Sequence, residues 1–195
     1  MKILTGLAIA MVLGSLTGPA LSESTKAPMP RPAPRAAIDA AIEAANAPPK
    51  PTVREGRVTK RPVPRYVSLK TSEGNARRGP GVDHRVDWVF TVPGMPLRIT
   101  AEHENWRRVE DAEGVGGWIH YTLLSGTRTV LVSEDLAEIL SKPDSRSNVV
   151  ARAELGVIAR LQECVVDWCR VLKDGKRGWM RKASLWGVSP DEVFE

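Results

Sequence analysis

The chain has few of the side chains from which metal sites and catalytic centres are built. Its 195 residues include only two cysteines and three histidines, and Cys164 and Cys169 lie far along the chain from His84, His103 and His120. A structural zinc ion usually needs four such ligands close together. There is also no Gly-rich phosphate loop and no Ser/His/Asp or Cys/His nucleophile motif. We therefore predict a non-enzymatic protein without a metal or another cofactor.

Long hydrophobic runs are also missing, except at the N-terminus. There Lys2 precedes an apolar run from Ile3 to Leu16, and small residues follow up to Ser22. This pattern is typical of a Sec-type signal peptide, which we expect to cover residues 1–22 and to be cut after Ala20 or Ser22. A membrane anchor is the alternative, but the run is short for a span and is interrupted by glycine. We expect a periplasmic or secreted protein, and the two cysteines fit an oxidising compartment.

Proline and positive charge are concentrated in residues 23–65. This segment holds nine of the fifteen prolines and carries nine Lys/Arg against four Asp/Glu, whereas residues 66–195 carry 18 Lys/Arg against 19 Asp/Glu. Such a composition predicts a disordered Pro/Ala-rich linker. Its basic part is either a solvated spacer or a segment in peripheral contact with an anionic membrane surface. Because the rest of the chain is not basic, we expect no nucleic-acid binding.

The second half of the chain contains an internal repeat of about sixty residues. Each copy has a Trp-x-Arg-Val run, then a Gly-Trp pair, then a Leu-x-Gly run. The first copy has these motifs at 106–109, 117–118 and 124–126, and the second has them at 168–171, 178–179 and 185–187. A repeat of this length predicts two copies of one small module. Most of the six tryptophans are therefore expected to be repeated scaffold.

Short alternating runs separated by turn residues predict that both modules are all-β. Each copy has room for about five strands, which is the size of a small barrel. The segment Ser133–Ser141 argues otherwise, because it has a good N-cap and a helical spacing of its apolar residues. The repeat aligns this segment with strand and loop in the first copy. We therefore predict that tertiary context overrides the local preference for a helix.

The alignment of the two copies also places Glu102 on Cys164 and Arg107 on Cys169. In both copies four residues separate the two positions, which is the spacing of a β-hairpin loop. We predict a cross-strand disulfide between Cys164 and Cys169 in the second module, and an exposed opposite-charge pair between Glu102 and Arg107 in the first. The disulfide is expected to be structural, because the Cys-x-x-Cys spacing of redox-active pairs is absent.

These motifs resemble a known family. The Asn-Ala-Arg-Arg-Gly-Pro run of residues 75–80 and the spaced tryptophans after it are similar to a bacterial Src-homology-3-like (SH3b-type) domain, in the exported tandem form of α-proteobacteria. The resemblance implies an all-β chain with two tandem SH3-like small β-barrels at 66–131 and 132–188, followed by a tail at 189–195. The second copy departs from the family, because Ile139-Leu140-Ser141-Lys142-Pro143 replaces its Arg-Gly-Pro signature.

The resemblance implies a binding role. We predict an exported, non-catalytic adaptor of the cell envelope that recognises peptidoglycan peptide or an envelope protein. The alternative is a purely protein–protein interaction module that regulates an envelope enzyme without binding the wall. Trp118 and Trp179 lie in mid-strand and are expected in the cores. The candidate ligand-binding residues are aromatic and polar side chains at the rim of the first barrel, namely Tyr66, Asn75, Arg77, Trp88 and Trp106.

Overall fold

The computed structural model describes residues 52–194, which fold as β-strands, turns and two short 3₁₀ segments. The prediction of an all-β chain is confirmed. The predicted signal peptide and most of the linker lie outside the described residues. Within them, no helix is long and apolar enough to cross a membrane. The strands are β1 (Arg54–Glu55), β2 (Pro62–Val63), β3 (Arg65–Leu69), β4 (Gly74–Arg77), β5 (Val86–Phe90), β6 (Pro96–His103), β7 (Trp106–Glu110), β8 (Gly116–His120), β9 (Leu124–Ser125), β10 (Thr129–Val132), β11 (Ala137–Leu140), β12 (Val149–Ala153), β13 (Ile158–Cys164), β14 (Trp168–Lys173), β15 (Lys176–Arg181) and β16 (Leu185–Trp186).

Fourteen of these strands form two antiparallel sheets with the same internal order. The first sheet runs β5-β4-β8-β7-β6-β3-β9, and the second runs β12-β11-β15-β14-β13-β10-β16. Each strand of the second sheet is the counterpart of the strand seven places earlier in the first. The sequence repeat is therefore a repeat of topology, as predicted. We call the two units barrel 1 (β3–β9) and barrel 2 (β10–β16).

Each barrel encloses its own core of inward-facing apolar side chains. Because successive side chains of a strand point to opposite faces, one residue in two contributes to the core. Barrel 1 buries Leu69, Ala76, Phe90, Leu97, Ile99, Val109 and Ile119. Barrel 2 buries a larger set that includes Val130, Val132, Ile139, Leu161, Val171, Met180, Leu185 and both cysteines. Cores this small supply little stability by themselves, so covalent and ionic cross-links matter to them.

The segment whose local pattern favours a helix contains strand β11 instead. β11 pairs with β12 on one side and with β15 on the other. Ile139 and Leu140 are both buried in this arrangement. The sheet buries apolar side chains that a helix on the surface would leave exposed, and this burial outweighs the local propensity. The predicted strand is confirmed.

Strand pairing places some boundaries differently from the sequence prediction. Barrel 2 begins at Thr129, before the predicted boundary at residue 132, because the whole of β10 pairs within the second sheet. The linker predicted to be disordered up to residue 65 contains the paired strands β1 and β2. The predicted tail returns to barrel 2, since Phe194 forms a β-bridge with Cys164.

One buried carboxylate holds the β1–β2 hairpin against barrel 1. The Glu102 carboxylate of β6 accepts hydrogen bonds from the backbone N–H groups of Val58 (3.0 Å) and Thr59 (2.9 Å). The Thr59 hydroxyl and Arg65 Nη2 also donate to it, each at 2.6 Å. A Cβ at Gly56 would lie 2.6 Å from Glu102 Oε2, so the absence of a side chain there lets the hairpin approach. The carboxylate thus joins the β1–β2 hairpin to a strand whose Glu102 lies 43 or more residues later in the chain.

The predicted pair of Glu102 and Arg107 forms, but it is buried and not exposed. The two residues are register partners in the β6–β7 hairpin, and Arg107 Nε lies 3.7 Å from Glu102 Oε1. Each residue is 6% exposed, because the N-terminal hairpin packs over the carboxylate. Burial raises the pKa of the Glu102 carboxyl, but the hydrogen bonds from Thr59, Arg65 and Val58 outweigh that effect and lower its pKa to about 2.

The depressed pKa of Glu102 makes stability depend on pH. Its folded value of about 2 lies below its ordinary value of 4.5, so the ionised group stabilises the fold above pH 4.5. That contribution is lost as pH falls from about 4.5 to 2. We expect Glu102→Gln to lower the free energy of unfolding at pH 7 by about 3 kcal/mol and to flatten the acid limb of the stability profile, measured by urea unfolding.

Glu104→Gln is the matched control for this substitution. Glu104 lies two residues away in the same hairpin, and its side chain is 79% exposed. The control variant should keep both the stability and the acid limb of the wild-type protein. An acid limb that persists unchanged in Glu102→Gln would contradict the assignment.

Cys164 and Cys169 form a disulfide across the β13–β14 hairpin, as predicted. They occupy the positions that Glu102 and Arg107 hold in barrel 1. Cys164 and Cys169 are 1% and 0% exposed and belong to the core of barrel 2. The two barrels therefore cross-link the same hairpin in different ways, one by an ion pair with hydrogen bonds and the other by a covalent bond.

Removal of the disulfide should destabilise barrel 2 without unfolding it. The bond closes a short loop, so its entropic contribution is at the low end of the usual range, about 2 kcal/mol. We expect the Cys164→Ser, Cys169→Ser double variant to melt at a lower temperature in a calorimetric scan. The native amide spectrum of barrel 1 should persist. A double variant that melts with the wild-type protein would argue against a structural role for the bond.

The two barrels are in contact through an aromatic pair and an arginine. The rings of Tyr66 and Trp186 meet edge to face, with centroids 5.3 Å apart. The Arg128 guanidinium lies 5.7 Å from the ring centroid of Tyr66 and 5.7 Å from that of Phe194. Its Nη2 also donates to Glu192 at 3.1 Å. One guanidinium therefore connects barrel 1, the start of barrel 2 and the C-terminal segment.

Candidate functional site

Aromatic and cationic side chains cover the outer face of β6–β8 in barrel 1. One row across the three strands pairs His103 with Trp106 and Trp106 with His120. The next row pairs Arg108 with Trp118. We define the aromatic face by the five side chains that these rows project outward: His103, Trp106, Arg108, Trp118 and His120.

The rings of this face pack against each other in pairs. Trp106 and His120 meet edge to face with centroids 5.5 Å apart, and His103 and Trp118 do so at 6.4 Å. Such edge-to-face contacts hold aromatic rings in a fixed orientation. Both tryptophans remain partly accessible to solvent. The face is therefore an ordered platform onto which a flat or apolar group can pack.

Trp118 and Trp179 were expected in the cores, and this expectation is wrong. Side chains alternate along β8 and β15, and the inward positions belong to Ile119 and Met180, which are 0% and 1% exposed. Each tryptophan therefore lies on the outer face of its barrel. The indole of Trp179 packs under Arg170, whose guanidinium carbon is 6.0 Å from the ring centroid.

The two barrels differ in whether the arginine on this outer face has an acidic partner. Arg170 of barrel 2 is the counterpart of Arg108, and it pairs with Glu163 Oε2 at 3.3 Å on the neighbouring strand. In barrel 1 the residue opposite Arg108 is Ala101. Within residues 52–194, the Arg108 guanidinium has no hydrogen-bond or ion-pair partner. Barrel 1 thus presents an available cation beside a tryptophan, and barrel 2 does not.

The structure distributes the predicted ligand-binding residues over three places. Trp106 belongs to the aromatic face, and Arg77 pairs in register with Trp118 at its border. Asn75 and Trp88 lie on β4 and β5, where Trp88 is 48% exposed. Tyr66 packs against barrel 2, and its burial raises the pKa of its hydroxyl. Tyr66 is therefore separated from the other four residues. A ligand-binding groove lined by the remaining residues of β4, β5 and β7 stays a prediction.

Arg77 holds the loop between β4 and β5. Its Nη1 donates to the carbonyl oxygens of Val82 at 3.0 Å and His84 at 2.7 Å. The counterpart in barrel 2 is Leu140, since each of the two residues pairs with the tryptophan of the Gly-Trp motif. Leu140 is buried and makes no such contacts with its loop. Arg77 is therefore a positioning residue for the loop that borders the aromatic face.

Arg77→Leu should loosen this loop without unfolding barrel 1, because leucine is the residue that barrel 2 uses at the same position. We expect faster amide exchange in residues 78–85 and a loss of stability of about 1 kcal/mol, since two hydrogen bonds to carbonyls are lost. Hydrogen exchange read by mass spectrometry measures the first effect. Arg108→Leu, which removes an exposed arginine without a hydrogen-bond or ion-pair partner in the described residues, serves as the control. Equal exchange in both variants would contradict the role of Arg77.

The sequence prediction missed four members of the aromatic face. Trp118 was expected in the core, and Arg108, His103 and His120 were not among the candidate ligand-binding residues. The signal that was present is the repeated Arg of the Trp-x-Arg-Val run, which lies between the tryptophan and an inward-facing valine. Strand alternation makes that arginine and the first tryptophan share an outer face. The residue opposite Arg108 is Ala101 and not an acid, but this can be seen only after the pairing register of β6 and β7 is known.

Within residues 52–194, no group of three or more His, Cys, Asp or Glu side chains is arranged to hold a metal ion. The two histidines of the aromatic face are separated by Trp106 in their row, so they do not converge on one point.

A family model described as the bacterial SH3 domain matches residues 70–126 and again residues 133–187, which together are more than half of the chain. The chain belongs to the bacterial SH3 domain family. The resemblance noted from the sequence is thereby confirmed, and each match covers most of one barrel. In this bacterial SH3 protein, Arg77 of the first domain is replaced by Leu140 in the second.

Comparison with solved structures finds distant likenesses. NlpC2 from Trichomonas vaginalis matches over 64% of this chain and 48% of its own, with 14% identity and a TM-score of 0.30. NlpC1 from the same organism matches over 71% and 51%, with the same identity and TM-score. The chain thus spans about half the length of each. A search of curated proteins finds no match.

Proposed function

We propose that this protein is an exported, non-catalytic binding module of the cell envelope, which holds peptidoglycan peptide or an envelope protein on the aromatic face of barrel 1. The proposal rests on one observation above all. The two barrels repeat a Trp/Arg outer face, but only in barrel 1 does the arginine lack an acidic hydrogen-bond or ion-pair partner within the described residues. The Arg108 guanidinium is therefore available to a ligand.

The chemistry of the face suits an anionic ligand with an apolar or flat part. A guanidinium recognises a carboxylate through paired, charge-assisted hydrogen bonds. Partly exposed indole rings beside it offer apolar area with a fixed orientation. Wall peptides carry carboxylates, and so do acidic segments of envelope proteins. Arg108 would bind the carboxylate, and Trp106 and Trp118 would pack against the remainder.

Export is part of this proposal. A disulfide persists in oxidising compartments outside the cytoplasm, and Cys164 and Cys169 are bonded. The N-terminal pattern of residues 1–22 is that of a signal peptide. Cleavage after Ala20 or Ser22 would release a periplasmic or secreted protein, whose basic linker can approach an anionic membrane surface. A nucleic-acid partner is not part of the proposal.

Purified sacculi test the proposal directly. We expect the wild-type protein to sediment with sacculi, and Arg108→Ala and Trp118→Ala to reduce the bound fraction about tenfold, the usual effect of losing a central contact. Arg170→Ala is the matched control, because it removes the counterpart of Arg108 from barrel 2. Retention lost equally in Arg170→Ala would contradict the assignment to barrel 1.

A second arm of the same experiment separates the two kinds of partner. Digestion of sacculi by muramidase should abolish sedimentation if the wall is the ligand. Capture of an envelope protein that survives digestion and still requires Arg108 would favour the alternative, a protein–protein module that regulates an envelope enzyme. Turnover of wall peptide by the purified protein would overturn the non-catalytic assignment.

A further inference from the structure

Two surface pockets share Trp118 of the aromatic face. The first has a volume of about 320 Å³ and is lined by residues of β4, β5, β7 and β8, including Arg108. The second has a volume of about 410 Å³ and is lined by residues of β1, β2 and β6. Trp118 lines both of them. A ligand that packs on this indole ring therefore has room to extend in two directions.

One wall of the second pocket is the β1–β2 hairpin, which precedes the residues that the SH3 family model matches. Two sets of contacts hold this hairpin in place. Val58 and Thr59 donate to the buried Glu102 carboxylate, and Arg54 Nη2 donates to the carbonyl oxygen of Thr100 at 3.1 Å. The hairpin is therefore a fixed wall of the pocket.

The hairpin brings positive charge to a domain that otherwise has none in excess. Residues 52–63 carry four Lys/Arg against one Asp/Glu, whereas residues 64–126 carry eight Lys/Arg against eight Asp/Glu. Two of the hairpin's cations, Arg54 and Arg57, line the second pocket. The hairpin therefore makes this side of the aromatic face attractive to anions.

Every acidic side chain that lines either pocket already has a cationic partner. An ammonium group on a ligand would therefore find no unpaired carboxylate in these pockets. The four pairs are Asp87 with Arg85 at 2.6 Å, Glu110 with Arg98 at 2.5 Å, Glu102 with Arg65 at 2.6 Å, and Glu55 with Lys60 at 3.8 Å.

Three arginines of the two pockets have no acidic partner within residues 52–194. Arg108 lines the first pocket, and Arg54 and Arg57 line the second. Arg54 uses one nitrogen atom to bind a backbone carbonyl group, whereas Arg57 is exposed and has no hydrogen-bond partner in that range. The other two arginines, Arg77 and Arg78, are engaged in contacts within barrel 1. Each pocket thus offers a guanidinium to a ligand that packs on the shared indole ring.

Barrel 2 is covered at the equivalent position by a segment of opposite charge. The counterpart of Glu102 is Cys164, and the C-terminal segment pairs with it through Phe194. Residues 188–194 of that segment include Asp191 and Glu192 and no Lys or Arg. The basic wall is therefore present only beside the barrel whose outer arginine lacks an acidic partner.

We propose that the aromatic face binds an acidic protein segment in which carboxylates lie on both sides of an apolar or aromatic side chain. That side chain packs on Trp118, one carboxylate meets Arg108, and the other meets Arg57 of the hairpin. A protein segment is favoured over wall peptide, because wall peptides also carry amino groups and neither pocket has an unpaired acid to receive one. This inference rests on the function proposed for the aromatic face and narrows its partner.

Titration of the full chain with the peptide acetyl-Glu-Glu-Phe-Glu-Glu-amide tests the proposal, followed by the indole N–H resonances of Trp106 and Trp118. We expect saturable binding with a dissociation constant of about 1 mM or tighter. The peptide with Gln in place of every Glu should not saturate. Arg57→Gln should weaken the acidic peptide about fivefold, the upper range for an exposed charge pair. The melting temperature should not change, because Arg57 makes no hydrogen bond or ion pair within the described residues.

Arg61→Gln is the matched control, because it removes the same charge from the same hairpin but from a residue that does not line the pocket. It should bind the acidic peptide as the wild-type protein does. Equal losses in Arg57→Gln and Arg61→Gln would overturn the proposal in favour of diffuse attraction to the hairpin. Absence of peptide binding, with retention on sacculi that still requires Arg57, would overturn it in favour of wall peptide.

The variant Arg108→Ala separates this inference from the function on which it rests. Both Arg108→Ala and Arg57→Gln should weaken the acidic peptide. A loss of affinity in Arg108→Ala alone would overturn the role of the hairpin and leave the function proposed for the aromatic face intact. Full affinity in both variants would contradict the inference and the proposed function together.

Discussion

The fold of barrel 1 depends on the ionised carboxylate of Glu102. A buried charge is costly unless it is paired and hydrogen-bonded. Val58 and Thr59, in a segment that precedes the barrel, donate three of the four hydrogen bonds to Glu102, and Arg65 of β3 donates the fourth. Barrel 1 therefore supplies only part of the hydrogen bonding that this carboxylate needs. The residues around Thr59 are part of the domain in a physical sense, although the repeat does not include them. Barrel 2 avoids this need because Cys164 and Cys169 replace the ion pair with a covalent bond.

The two barrels share a frame and differ in what fills and covers it. Register places Phe90 and Ala153 at one point of the interior, and Arg108 and Arg170 at one point of the surface. Barrel 1 has a phenylalanine at the first point and an arginine without an ion-pair partner at the second, whereas barrel 2 has an alanine at the first and an arginine paired with Glu163 at the second. Each barrel serves as the reference against which the other can be interpreted.

The duplicated all-β architecture, the disulfide and the strand at Ala137 could be predicted, because each follows from spacing along the chain. Repeated motifs predict that the two copies share the same strand order, and hairpin spacing predicts which side chains face one another. The burial of Glu102 could not be predicted, because its donors lie 37 or more residues away. The outward direction of Trp118 was missed for a different reason. Tryptophan in the middle of a strand suggests a core residue. Because neighbouring side chains point to opposite faces and Ile119 points into the core, Trp118 points outward.

The guanidinium of Arg128 has a consequence for assembly of the whole molecule. It lies over the ring of Tyr66 from the first strand of barrel 1. It also donates a hydrogen bond to Glu192 and lies over the ring of Phe194 near the end of the chain. The contact region between the two barrels is therefore complete only when Glu192 and Phe194 are in place. Barrel 1 is synthesised first, and its full set of contacts with barrel 2 can form only after the last residues of the chain have been made.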